Sequence, residues 1–163
     1  MPKKKRTYRQ VHDSYLIEWL GITYPPGTWR TNVRLGQLRP ELAERAMTAE
    51  EMNYLKPFLA SADAVVLLRD EVHIIECMIR HEPGALEDLI KYAKLFRQTP
   101  EFKKHWEKPI KLILLTPLDA PFYFEMAKEF GIEVAQYKPS WIFEYLSTYP
   151  RKEWRGKLSS VRF

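Results

Sequence analysis

Cysteine is nearly absent from this 163-residue sequence, where Cys77 stands alone. One thiol cannot close an internal disulfide, which excludes a disulfide-stapled scaffold and suits a reducing compartment. Histidine is also scarce. The four residues at 12, 73, 81 and 105, taken with Cys77, show no zinc-type spacing. No apolar run reaches the ~20 residues of a membrane-spanning helix. The longest, near Ile110 to Leu115, has the length of a strand, and no membrane partner is expected. No apolar stretch follows the charged N-terminus, so no secretory signal is expected either. There is no internal repeat, and no low-complexity segment beyond the N-terminal basic run.

What is present suits one domain large enough to bury a core, since apolar residues make up 45% and charged residues 29%. The formal charge of +5 is unevenly placed. Residues 1–40 carry eight Lys/Arg against two Asp/Glu, residues 41–149 carry thirteen against eighteen, and residues 150–163 carry five against one. The body is acidic and both ends are basic. Basic ends favour a phosphate backbone or an acidic protein surface, or they simply aid solubility.

The chain opens with a basic run containing Lys3, Lys4, Lys5, Arg6 and Arg9. Tyr15, Leu16, Trp19 and Leu20 then fall at the spacing of a short amphipathic helix, with Asp13 or Ser14 as cap and Gly21 as stop. The stretch TYPPGTWRTNVRLGQLRP lacks periodicity and predicts an extended, irregular segment. Residues 1–40 thus read as a basic arm, 41–150 as the core and 151–163 as a basic tail. In the arm, Trp29 stands among Arg30, Arg34 and Arg39. It reads either as a docking anchor or as a residue folded back on its own domain. RPELAERAMTAEEMNYLKPFLASA predicts helix, with Thr48 and Glu51 as a capping-box pair. ADAVVLLRD and EVHIIECMIR predict two strands joined by a tight turn at Arg69-Asp70-Glu71. EPGALEDLIKYAKLFRQT predicts a helix that EFKKHWEK extends, followed by strand IKLILLTP, helix APFYFEMAKEFG stopped by Gly131, strand IEVAQYK and helix PSWIFEYLSTYP. The order implies a mixed sheet covered by helices.

This order, with Asp63 at the start of one strand and Glu76 thirteen positions on in the next, resembles the PD-(D/E)XK nuclease superfamily. HEPGALEDLIKYAKLF is similar to the helix that follows the metal site in phage-type members, with Asp88 and Tyr92 near the place of a Gln and a Tyr. The resemblance covers roughly residues 41–138. It implies an α/β (α+β), restriction-endonuclease-like fold: a mixed central sheet flanked by helices, here with an extended N-terminal arm. It also implies that Asp63 and Glu76 are the catalytic carboxylates and that they hold Mg²⁺ through hard oxygen contacts. The ion would stabilise charge on the phosphate and activate a water, and a lysine two residues after the Glu would steady the developing anion.

That lysine position is Met78. Period two places Glu76, Met78 and Arg80 on one face and Ile75, Cys77 and Ile79 on the other. A thioether performs neither electrostatic task, and its softness predicts a packed pocket rather than a wet one. Substitutes are Arg80, roughly 6.6 Å further along the strand, Lys91 or Lys94 from the next helix, and Glu51 as a third carboxylate. Arginine stays charged and shares no proton. Plainer readings stand beside these. Asp63 opens a strand, Glu76 pairs with Arg80 or Lys91, His73 and Cys77 are core residues, and Trp141, Phe143, Tyr145 and Tyr149 are core or interface.

Two functions follow from the resemblance. One is a Mg²⁺-dependent DNA endonuclease or exonuclease. The other is a non-catalytic member with no cofactor, whose basic ends dock on nucleic acid or an acidic protein surface and which assembles with itself or other subunits. Similar members occur among tailed-phage genes, so the expected locations are the cytoplasm or a virion. Met78 favours the second function.

Overall fold

The computed structural model describes residues 6–37, 48, 50 and 59–148. Lys3, Lys4, Lys5, Glu51, Tyr149, the tail at 151–163 and, except for Thr48 and Glu50, positions 39–58 of the expected helical stretch lie outside the described residues, while the end of that stretch, from Ala60, is strand rather than helix.

The first helix, α1, spans Tyr8–Thr23. Thr7 and Gln10 open it as a reciprocal capping box, with Gln10 N 3.3 Å from Thr7 Oγ1 and Thr7 N 2.9 Å from Gln10 Oε1. The helix therefore starts before the expected caps at Asp13 or Ser14. It also runs through Gly21, because Tyr24 N still reaches Leu20 O at 2.9 Å. Its buried face is Val11, Tyr15, Leu16, Trp19 and Leu20.

Trp29–Leu35 forms a strand, β1. The Pro-Pro-Gly stretch makes a turn closed by Thr28 Oγ1 on Pro25 O at 2.7 Å, and the chain then pairs antiparallel with β2, Ala60–Leu67. This corrects the expectation of an extended arm over 1–40. Residues 8–35 are built into the body because α1 and β1 each carry an apolar face, with Val33 and Leu35 buried in β1. Trp29 is half-buried and packs on the core of its own chain, which is the second of its two readings.

β2 turns through Arg69 and Asp70, with Leu68 N on Glu71 O at 3.0 Å, into β3, Val72–Cys77. Helix α2, Ala85–Phe96, follows a left-handed Gly84. It ends before Pro100, and Pro100–His105 is a separate 3-10 turn rather than an extension. That turn stacks Phe102 on Phe96 with ring centroids 4.9 Å apart. Then come β4 (Ile110–Thr116), α3 (Pro121–Glu129), β5 (Ile132–Gln136) and α4 (Ser140–Thr148). Gly131, at φ +70°, ends α3 as expected.

The sheet order is β1-β2-β3-β4-β5. The β1–β2 and β2–β3 pairs are antiparallel, and β3–β4 and β4–β5 are parallel. Helices cover both faces. Val72, Ile74, Met78 and Leu114 lie in the core with α2 and α3. Ile75, Cys77, Ile79 and Leu115 lie in the core with α1 and α4. The protein is thus a mixed central sheet flanked by helices, and the expected alternation along β3 holds.

Candidate functional site

The β2–β3 ladder runs to Ala64 opposite Ile75, and just beyond its end Asp63 and Glu76 line one cleft, close enough for the charge of Asp63 to act on Glu76. The strands are distorted here. Asn32, opposite Asp63 on β1, has φ +52°, a conformation that Asn tolerates better than most residues. Ala62 belongs to one core and Ala64 to the other, so side-chain alternation breaks at Asp63. Its carboxylate turns to the backbone, and Asp63 Oδ2 accepts Cys77 N–H at 2.8 Å. Met78 N, the next amide, donates to Leu115 O on β4 at 2.8 Å. Asp63 therefore caps the β2–β3 ladder where a backbone acceptor would otherwise stand.

A histidine joins them. His12, on α1, places Nε2 3.1 Å from Cys77 O and 3.4 Å from Asp63 Oδ2. Burial alone would lower its pKa, but the hydrogen bonds to Asp63 and Cys77 outweigh that and hold it up to about 12. Glu76 is pushed the other way. Burial first, then the charges of Asp63, Asp88 and Glu82, raise its carboxyl to about 9, and its Oε2 is buried without a hydrogen-bond partner. Burial raises the Cys77 thiol to about 11, as suits an inert core cysteine. His12, Asp63 and Glu76 line a cleft of about 560 Å³ with Tyr8, Ser61 and Glu82.

The position where the resemblance expects a lysine is dry. Met78 is 0% exposed. The Arg80 guanidinium lies 3.8 Å from the centroid of the Tyr8 ring, while Tyr8 Oη donates to Glu82 at 2.6 Å. Lys91 Nζ donates to Asp88 Oδ1 at 2.7 Å. Lys94 is exposed in the last turn of α2. Arg80 and Lys91 thus have partners of their own, and Lys94 is exposed.

The docking candidates among the described residues are dispersed. Arg6 is exposed. Arg9 is exposed and 3.9 Å from Asp13. Arg30 pairs with Glu101 at 3.3 Å, and Arg34 donates to Leu59 O at 3.4 Å. His73 is a satisfied core residue, bonded to Tyr24 and Glu71.

A Mg²⁺ ion shared by Asp63 and Glu76 needs free carboxylate oxygens at short range. Asp63 Oδ2 is already engaged by Cys77 N–H and by His12. Among the described residues, no group of three or more His, Cys, Asp or Glu is arranged to hold a metal ion. Asp63 Oδ2 is therefore not free for a shared Mg²⁺, whereas the unpartnered Glu76 Oε2 would suit a cation.

Sequence reasoning missed His12, Tyr8 and Glu82. His12 and Tyr8 share a face of α1, four residues apart, but the sequence carries no signal that this face meets Asp63.

No protein-family model matches the chain, and no curated protein matches it. Among solved structures it is similar to EndoMS in a complex with double-stranded DNA, at 14% identity and TM-score 0.48, over 85% of this chain and 48% of that one. It is also similar to a repair endonuclease from Pyrococcus abyssi, at 11% identity and TM-score 0.46, over 85% and 50%. A protein from Vibrio cholerae aligns at 16% identity and TM-score 0.44, over 77% and 28%. The chain spans half or less of each of these proteins. Likeness of this degree leaves the function to be argued from the chain's own residues.

Proposed function

We propose that this chain is a PD-(D/E)XK-type, restriction-endonuclease-like protein that does not cut DNA. Its body serves as a scaffold, and its basic ends bind a phosphate backbone, as in a tailed-phage virion or assembly component. One observation carries this reading: Met78, at the position where the superfamily keeps its lysine, is wholly buried beneath α2. An apolar side chain there can neither lower the pKa of an attacking water nor steady a developing anion.

A second reading has its own support. The unpartnered, buried Glu76 Oε2 beside Asp63 is what an acid pair awaiting Mg²⁺ would present. In that reading the chain is a metal-dependent DNA nuclease.

Supercoiled plasmid incubated with the chain and Mg²⁺ or Mn²⁺ separates the two. The scaffold reading expects retarded but intact DNA, with retardation falling steeply as salt rises. Metal-dependent nicking that disappears in Glu76→Ala would sink it, and absence of retardation would leave an acidic protein surface as the target of the ends.

A further inference from the structure

The body is acidic as a whole but not throughout. Residues 97–111 carry five Lys/Arg against two Asp/Glu, and the rest of 41–149 carries eight against sixteen. This segment holds the 3-10 turn Pro100–His105 and leads into β4. Arg97, Lys103 and Lys104 are exposed on it. Arg97 Nε and Nη2 donate to the carbonyls of Trp106 and Lys108 at 3.0 and 3.3 Å, and Lys108 Nζ donates to that of Leu68 at 2.9 Å. Those acceptors are neutral, so the bonds fix the cations without cancelling their charge. Arg30 reaches the turn from the start of β1 through Glu101. The segment's other acid, Glu107, is exposed, and at the adjoining β2–β3 turn Arg69 and Asp70 are both exposed. Burial first, then the charges of Lys108, Lys104 and Arg30, hold the His105 imidazole below its ordinary value. Three cations from separate places in the sequence thus act on one ring.

We propose that this end of the sheet, built on the Pro100–His105 turn, is a docking surface for the phosphate backbone of duplex DNA, with Lys103 and Lys104 as its exposed contacts and Arg30, Arg97 and Lys108 behind them. The inference rests on the non-cutting, phosphate-binding reading above and extends it from the chain ends to the body. The chemistry of the surface favours phosphate over an acidic protein. A protein partner is held through aromatic and apolar anchors, with Lys depleted, whereas phosphate is held by Lys and Arg. The exposed large apolar residues, Ile17, Ile22, Phe122, Phe130 and Phe143, all lie outside residues 97–111. The position of the surface matters as much as its charge. Val72 N donates to Pro109 O at 2.9 Å, so the segment meets the start of β3. Glu76 lies four residues, about 13 Å, further along that strand. A duplex seated here is held at the opposite end of β3 from the acid pair, which binds DNA without presenting a phosphodiester to Asp63 and Glu76.

The test is fluorescence anisotropy of a labelled duplex of about 20 base pairs, titrated with the full chain over a range of salt concentrations. Wild type is compared with Lys103→Ala/Lys104→Ala, with Lys128→Glu, and with Lys3→Ala/Lys4→Ala/Lys5→Ala. The first variant and Lys128→Glu change the net charge equally, and Lys128 is exposed on α3, away from the turn. All the substituted side chains that the structure describes are exposed, and melting curves verify that the variants fold. Lys103→Ala/Lys104→Ala is expected to weaken binding about tenfold and to lower the slope of log affinity against log salt by about two, one for each lost phosphate contact. Lys128→Glu is expected to stay within about twofold of wild type with the slope unchanged. Equal weakening by Lys128→Glu would overturn the proposal, because net charge alone would then explain the loss. Wild-type affinity in Lys103→Ala/Lys104→Ala, with loss in the Lys3-Lys4-Lys5 variant, would overturn it while leaving the ends as the binding elements. Displacement of the duplex by poly-glutamate at equal charge would make the partner an acidic protein and overturn it as well. Plasmid cleavage with Mg²⁺ or Mn²⁺ on the same samples tests the underlying reading separately. Cutting by wild type defeats the non-cutting reading, whereas the affinities and salt slopes alone decide the surface.

Discussion

Replacing Glu76 with Gln should stabilise the protein, and increasingly so as pH rises. The carboxyl has an ordinary value of 4.5 and is raised to about 9 in the fold by burial and by Asp63, Asp88 and Glu82. An acid whose folded value is raised is an asset below its unfolded value. Its contribution is then lost as pH climbs toward the folded value. Between about 4.5 and about 9 the unfolded chain ionises freely while the fold still holds the proton, so each pH unit costs up to about 1.4 kcal/mol. At pH 7.5 the full penalty would be about 4 kcal/mol, and water entering from the cleft mouth should relieve about half of it. An amide of the same shape carries no charge. Glu76→Gln should therefore gain about 2 kcal/mol at pH 7.5, roughly 4–8 °C in melting temperature for a domain of this size, and almost nothing at pH 5. Thermal melts of both proteins in EDTA across pH 5 to 9 measure this. An equal gain at both ends of the range, or a loss at pH 7.5, would refute the idea that Glu76 is an un-neutralised buried acid.

Met78→Lys supplies the lysine that the proposed superfamily likeness would call for but puts an ammonium where the side chain is 0% exposed. It should cost about 3–5 kcal/mol in chemical denaturation without conferring plasmid cleavage; a stable, cleaving variant would show that the pocket opens readily to water. Asp63→Asn should cost about 1.5–3 kcal/mol, because Oδ2 holds the Cys77 amide and His12 with a full charge. Combined with His12→Gln, it should be clearly less than additive in a double-mutant cycle. Strict additivity would mean that the two side chains do not interact.

The alternation along β3 was legible because period two leaves a strong imprint where both faces are buried. Ile75, Cys77 and Ile79 fall to one core and Met78 to the other, as the sequence implies. That Asp63 and Glu76 come to one cleft was legible from two strands joined by a short turn. β1 was not, because WRTNVRL mixes polar and apolar residues on an edge strand with a distorted centre, which weakens the periodic signal. The start of α1 was missed for a related reason: Thr7 and Gln10 form the capping box outside the apolar repeat that marks the helix.

The sequence by itself determined the strands and α-helices from β2 onward and the alternation of side chains along β3. Local spacing decides those properties, and spacing is printed in the chain. Only the tertiary structure decided that α1 and β1 belong to the body and that His12 reaches Asp63 from 51 positions away. It also decided that Arg80 lies over the Tyr8 ring and that Lys91 pairs with Asp88. Such partnerships depend on which helix packs over which strand end. Packing is set by the sum of many apolar contacts, and no single pair of residues encodes it.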